Sequence, residues 1–135
     1  MDRSHDQLAN ATDFDDLRAA SVQLGAELYG VFLENLDVLR LLLQESRGPG
    51  VGARQPIRDL YDEIVERSVA HNQTALERGL IRPIHPRVSA LINLGAVERL
   101  TAGFLHGEDL GDPAAAVRSM VELLLAGREP ASARA

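Results

Sequence analysis

The sequence predicts an all-α protein of about five helices, and three observations lead to that prediction. The apolar residues are mainly Leu, Val, Ile and Ala, because aromatic residues make up only 4% of the 135 residues and Trp is absent. Apolar residues recur at steps of three and four positions over long stretches, which is the period of a helix with a buried face. No segment combines alternating polarity with β-branched enrichment, so no strand is predicted.

The charge balance and the absence of cysteine narrow the possible functions. Fourteen basic and twenty acidic residues give a formal net charge of −6, which is unfavourable for a surface that neutralises phosphates. Without Cys, neither disulfides nor thiolate chemistry is available. The densest apolar stretch, residues 38–43, is far shorter than the ~20 residues that cross a bilayer, and the first residues lack a leader-like apolar run. We therefore expect a cytoplasmic protein that has no membrane partner.

The chain is expected to form one helical domain over residues 13–128, with a different character at each end. Residues 1–12 are polar and are predicted to be a flexible N-terminal segment. Residues 129–135 are predicted to be a disordered tail. A single domain of this size has room for one core.

The first predicted helix begins near Thr12 or Asp13, either of which can cap it, and its first turn carries Asp15 and Asp16 at the positive end of the helix dipole. Its apolar residues form two stripes, which indicates a helix buried on two sides. The pattern pauses at residues 34–37, which predicts a bend or break. A short and very apolar helix is expected to follow.

The Gly- and Pro-rich residues 48–52 are predicted to be a loop between two groups of helices. A phosphate-binding loop is disfavoured, because no Gly-Lys-Ser/Thr follows and no strand precedes. Pro56 suits the first position of the next helix. That helix is expected to run to about Arg78, with Gly79 as its C-cap.

Two further helices are predicted in the C-terminal third of the chain. The first covers residues 86–106 and stops at Gly107. The second has Asp112 as its N-cap, Pro113 at its first helical position and Gly127 near its end.

The last two predicted helices have more apolar perimeter than one subunit can cover. On the final helix the apolar arc spans about 200°, and small residues on the preceding helix permit close approach of another helix. A two-fold four-helix interface satisfies both helices; the alternative is that the glycines relieve crowding within a monomer. The expected dimer interface comprises Leu91, Ile92, Gly95, Ala96, Arg99, Gly103, Val117, Met120, Leu123 and Leu124.

The order and spacing of four segments resemble the C-terminal domain of the TetR (tetracycline repressor) family. These segments are ENLDVLRLLLQE at 34–45, ALERGLIRP at 75–83, and the helices at 86–107 and 113–127. The resemblance implies an effector-binding domain of a transcriptional regulator that forms a homodimer through its last two helices. The family's N-terminal helix-turn-helix has no counterpart in these residues. Either the chain is an excised sensor domain, with DNA contact only through the headpiece, or it is a headless dimeric interaction module that binds no DNA.

The same resemblance implies a pocket for a small-molecule effector between the first long helix, the Pro56 helix and the Pro86 helix. Polar side chains on inner helix faces independently suggest a mostly apolar cavity with a few directional groups. For His71 alone, a structural role is the alternative. The candidate ligand-binding residues are Tyr29, Phe32, Tyr61, Ile64, Ser68, His71, Asn72, Asn93 and Phe104.

Enzyme and metal chemistry find little support in the sequence. Helical di-iron proteins place Glu three residues before His, whereas Ser68 precedes His71 and Gly103 precedes His106 at that spacing. The serines also lack the Gly-flanked elbow of a nucleophile. We therefore expect no catalytic residue, no metal site and no cofactor.

Overall fold

The computed structural model describes residues 2–45, 52 and 55–133, and their regular secondary structure is helical. The helices are α1 (Asp2–Ala9), α2 (Phe14–Glu34), α3 (Leu36–Glu45), α4 (Gln55–Glu77), α5 (Pro86–Leu105) and α6 (Pro113–Ala126), followed by a 3-10 turn at Ala131–Ala133. No strand occurs within those residues, so the predicted all-α class is confirmed. The loop predicted at 48–52 lies outside the described residues, except for Gly52.

Local signals in the sequence account for most of the helix ends. Asp13 caps α2 by accepting a hydrogen bond from the backbone N–H of Asp16 at 2.8 Å. Asn35 interrupts the helical run between α2 and α3, as the sequence predicts. Asp112 caps α6 through a bond from the backbone N–H of Ala115 at 3.0 Å, and Pro113 takes the first helical position.

Gly79 ends α4 in a left-handed conformation with φ of +70°. Its N–H donates to the carbonyl of Leu76 at 3.0 Å, and the N–H of Leu80 donates to the carbonyl of Ala75 at 2.9 Å. These two bonds form a Schellman motif, which satisfies the last carbonyls of a helix. Leu80 is thereby turned into the core.

The N-terminal residues differ from the sequence expectation, because the predicted flexible segment at 1–12 contains α1. Leu8 and Ala11 pack in the cluster of buried residues that also holds Leu17, Leu80 and Ile81. This cluster joins the start of the chain to the α4–α5 connection. With α1, the described residues contain six α-helices where the sequence predicts about five.

The C-terminal residues also differ from expectation, since residues 129–133 are structured where a disordered tail is predicted. The side chains of Glu129 and Pro130 are half-buried, and the backbone continues into the 3-10 turn. The N–H of Arg82 donates to the carbonyl of Arg128 at 2.9 Å. This bond ties the end of α6 to the α4–α5 connection.

Two antiparallel helix pairs make up the body of the fold. α2 lies along α6, with Arg18 of α2 opposite Glu122 of α6 at 3.9 Å. α4 lies along α5, with Glu66 of α4 accepting from Arg87 of α5 at 2.6 Å. α3 contacts α2, α4 and α5, whereas direct contact between α5 and α6 is slight. The space between the pairs is therefore open to a cavity.

Among the helices of the described residues, α5 alone is long enough and apolar enough to span a membrane. Core helices of soluble proteins pass the same test.

Candidate ligand cavity

A cavity of about 520 Å³ lies between α2, α3, α5 and α6. Its volume falls within the roughly 300–1,000 Å³ that is usual for small-molecule sites. Its apolar wall consists of Leu24, Leu28, Leu33, Leu36, Leu39, Val97, Leu100, Phe104, Leu105, Pro113, Val117, Met120, Val121 and Leu124. Such a wall favours an apolar occupant through the hydrophobic effect.

Gly25 of α2 lies against α6 at the wall of this cavity. A Cβ at this position would lie 3.1 Å from Cγ2 of Val121 and 4.0 Å from Cγ1 of Val117. The absence of a side chain therefore lets the two helices close one side of the cavity.

The polar lining is sparse and unbalanced in charge. Its members are Ser21, Tyr29, Arg40, Asn93, Thr101 and Arg128, together with the backbone of Gly25. Ser21 uses its hydroxyl hydrogen within α2, donating to the carbonyl of Leu17 at 2.7 Å. Two of the described lining residues are arginines, and none of them is an acid or a histidine. The cavity therefore presents positive charge without an internal counter-ion.

Arg128 is held firmly at the edge of the cavity. Its backbone N–H donates to the carbonyl of Leu125 at 2.9 Å, and its Nη1 donates to Oδ1 of Asn72 at 3.2 Å. Asn72 is itself oriented by donating from Nδ2 to the carbonyl of Pro86 at 3.3 Å. The guanidinium is thus held by Asn72 of α4, which is itself positioned by α5.

The guanidinium of Arg128 loses hydration without gaining enough hydrogen bonds in return. Burial lowers the pKa of Arg128 from its ordinary value, because a charged group loses hydration in a low-dielectric environment. Its Nε is buried and has no hydrogen-bond partner among the described residues. An arginine nevertheless stays protonated, so a positive charge remains at this edge.

Arg40 occupies a different environment on α3. Its side chain is 51% exposed and lies 3.5 Å from the carboxylate of Asp37. An exposed pair of this kind contributes little to stability. Arg40 is therefore a solvated residue that touches the cavity, in contrast to Arg128.

The structure brings three of the nine candidate ligand-binding residues into the cavity wall, namely Tyr29, Asn93 and Phe104. The side chain of Phe32 lies outside the described part of the chain. The remaining candidates, Tyr61, Ile64, Ser68, His71 and Asn72, belong to α4, which contributes no residue to the lining.

The physical reason for this placement is that α4 is occupied by α5. Val65 and Asn72 are the buried residues of α4, while Tyr61, Ile64 and Ser68 are half-buried and His71 is exposed. Asn72 reaches the cavity only indirectly, through its bond to Arg128.

The candidate dimer residues divide between the cavity and the outer surface. Val117, Met120 and Leu124 line the cavity. Leu91 and Ile92 of α5 and Leu123 of α6 are instead 49%, 56% and 74% exposed. The apolar arc predicted for α6 thus covers both the cavity wall and an exposed face.

Three other candidate dimer residues lie on α5 at positions of unequal exposure. A Cβ at Gly95 would meet nothing within 4 Å, so this glycine lies on an open face, next to the half-buried Ala96. Arg99 forms an exposed ion pair with Glu108 at 2.8 Å. These positions remain accessible to a partner.

Gly103 of α5 differs from the sequence expectation, because it is buried within the chain. A Cβ there would lie 3.0 Å from Cδ1 of Leu110 and 3.2 Å from Oε2 of Glu108. This glycine makes room for the α5–α6 connection, so it does not present an open face to a second subunit.

The most important residue that sequence reasoning misses is Arg128. It follows the C-terminal Gly127 of a very apolar helix, as the last residue of the predicted domain, where no site is expected. The one available signal is the position of a cation just beyond a helix C-terminus, where the helix dipole favours positive charge.

No three His, Asp or Glu side chains of the described residues come together as a metal site. Comparison with protein-family models, curated proteins and solved structures found no significant match. A proposal for a ligand of the cavity therefore rests on the residues that line it.

Proposed function

We propose that the chain is the effector-binding and dimerisation domain of a TetR-like transcriptional regulator and that the cavity takes a small, mostly apolar molecule. The observation that carries the proposal is the cavity of about 520 Å³ with its wall of Leu, Val, Met and Phe side chains. The absence of an acid or a histidine from the described lining favours binding over acid–base catalysis.

The position of the cavity provides a means of regulation. It is bounded by both α2 and α6 of one helix pair and by α5 of the other, so an occupant contacts both pairs. A ligand that fits one spacing of the pairs better than another shifts the population towards that spacing. In a dimer joined to DNA-binding headpieces, such a shift changes the distance between the headpieces and their fit to two half-sites.

Binding can be tested with a neutral fluorescent naphthylamine probe, whose emission is free of tryptophan background because the chain has no Trp. Val97 lines the cavity, and Val97→Phe places a larger side chain in it. We expect this variant to bind the probe at least about tenfold more weakly, since a filled cavity removes the apolar contacts.

Val38→Phe is the matched control, because Val38 is 66% exposed and does not line the cavity. It should bind the probe as the unsubstituted chain does. Failure of the unsubstituted chain to bind the probe, or equal binding by all three proteins, would reject the cavity as a ligand site.

We further propose that the chain forms a homodimer through the outer faces of α5 and α6. Support comes from the exposed side chains of Leu91, Ile92 and Leu123 and from the open position at Gly95. Exposed apolar side chains grouped on helix faces are typical of interaction sites, and a two-fold interface uses the same faces on both subunits.

The dimer is tested by light scattering at micromolar concentration. The chain should have twice the mass of one subunit, and Ile92→Glu should reduce it to one, because a charge is costly inside an apolar interface. Val38→Glu, which changes an exposed apolar residue on α3, should remain dimeric. A monomeric unsubstituted chain, or a dimeric Ile92→Glu variant, contradicts this interface.

A further inference from the structure

The residues that line the cavity are mostly apolar but include Arg128, a half-buried cation. Burial accounts for the lowered pKa of Arg128, and Arg128 has no ion pair with a carboxylate within the described part of the chain. Its hydrogen-bond partner, Oδ1 of Asn72, is a neutral amide. A buried charge without a counter-ion is unfavourable, so this edge of the cavity favours an anion.

One edge of the guanidinium makes no hydrogen bond to the residues that the structure describes. Asn72 takes a hydrogen from Nη1, which leaves the edge formed by Nε and Nη2. Nε is buried without a partner among the residues that the structure describes. Two parallel N–H groups on one edge of a guanidinium match the two oxygens of a carboxylate.

The remainder of the cavity determines the rest of the ligand. Beyond Arg128 the wall is mostly apolar, with Leu28, Val97, Leu100 and Phe104 among its members. One fixed cation balances one negative charge, and the surrounding protein carries a net charge of −6. This balance favours a singly charged head group over a phosphate, which carries nearly two charges at neutral pH.

We propose that the ligand of this cavity is an amphipathic monocarboxylate, whose carboxylate pairs with Arg128 and whose apolar body lies against α2, α5 and α6. This inference rests on the proposed function of the cavity and names the chemical class of its effector. Asn72 acts as a positioning residue, because it orients the guanidinium without contacting the cavity itself.

The test compares dodecanoate with dodecanol, which share the same apolar chain and differ in the charged head group. Both are titrated against the bound naphthylamine probe. We expect the full chain to bind dodecanoate about 10- to 100-fold more tightly than dodecanol, which is the usual contribution of a hydrogen bond to a charged group. Within a series of fatty acids, each added methylene should tighten binding about fourfold until the cavity is filled.

Arg128→Met should remove the preference for the acid while leaving the affinity for dodecanol unchanged. Arg40→Met is the matched control, because Arg40 touches the cavity but is solvated and beside Asp37; it should keep the preference. Equal binding of acid and alcohol by the unsubstituted chain, or a preference that survives Arg128→Met, overturns the inference and leaves the cavity as a neutral apolar site. If the unsubstituted chain binds neither compound, the proposed function fails as well.

A second measurement needs no variant and covers the case in which Arg128→Met does not fold. Dodecanoate labelled with ¹³C at the carboxyl carbon is titrated with acid while it is bound to the unsubstituted chain. A carboxylate paired with a guanidinium has a lowered pKa, whereas a carboxyl group buried without a cation has a raised pKa. A pKa below that of free dodecanoate supports the pairing, and a raised or unchanged pKa overturns it.

Discussion

Leu125 provides the sharpest test of the core, because its side chain is only 1% exposed and is the largest fully buried one of the described residues. Replacing it by Ala removes buried apolar carbons and leaves a cavity that the surrounding helices fill only in part. The lost burial is worth about 2 kcal/mol, and the residual cavity raises the total to about 3–5 kcal/mol. A change of this size lowers the melting temperature by roughly 10–20 °C for a domain of this length.

The measurement is urea unfolding followed by circular dichroism, with Leu123→Ala as the matched control. Leu123 lies on the same helix but is 74% exposed, so its truncation should cost less than about 0.5 kcal/mol in a dilute monomer. If Leu123 lies in a dimer interface, the stability lost in Leu123→Ala should increase with protein concentration. A cost below about 1 kcal/mol at Leu125, or equal costs at the two positions, would refute the packing described for α6.

Three further predictions concern helix ends. Asp112→Ala should lower the free energy of unfolding by about 1 kcal/mol, because α6 loses its N-cap, whereas Asp112→Asn should keep most of the stability. Equal losses of stability for the two variants in chemical denaturation would contradict the cap. Gly79→Ala should lower the free energy of unfolding by about 1–2 kcal/mol, because alanine is strained at positive φ. Gly30→Ala should raise it by about 0.5–1 kcal/mol, because a Cβ there meets nothing within 4 Å. Thermal unfolding of the two variants checks both signs. The hydroxyl of Thr12 donates to Asp16 at 2.7 Å and is the main cause of the lowered pKa of Asp16, with a backbone bond from Thr12 next. Since the folded state has the lower pKa, this stabilisation is present above the ordinary pKa of an aspartate and is lost as pH falls below about 4. Thr12→Val should raise the pKa of Asp16 in an NMR titration, and an unchanged pKa would assign the shift to other groups.

The all-α class and most helix ends could be predicted from the sequence because their causes are local. Asp112 and Pro113 are adjacent in the chain and act on the same turn. Gly79 likewise acts on the four residues before it. Hydrophobic period, caps and breakers all operate within one or two turns of a helix, so a single sequence contains the information.

The structure of α1 could not be predicted in the same way, because its support is distant in sequence. Leu8 and Ala11 pack near Leu80 and Ile81, about seventy positions away along the chain. The polar composition of residues 1–12 hides this contact. Helix formation in such a segment depends on tertiary packing more than on propensity.

The location of the cavity could not be predicted from the sequence, for a related reason. Polar residues on α4 suggested a ligand site, but the choice of helix partners decides which faces enclose a space. Here α4 packs on α5 and α2 packs on α6, so the cavity lies on the other side of α5. Arg128 enters it because α6 ends beside Asn72, a relation between residues 56 positions apart.

Helix α5 separates two environments that the same binding event can influence. Val97 belongs to the inner wall, while Ile92, little more than one turn earlier, is exposed to the surroundings. By thermodynamic reciprocity, a molecule that promotes self-association must itself be held more tightly by the associated form. An affinity determined for a dilute solution of this chain would then differ from one determined at high subunit concentration, and the ratio of the two would measure the coupling directly.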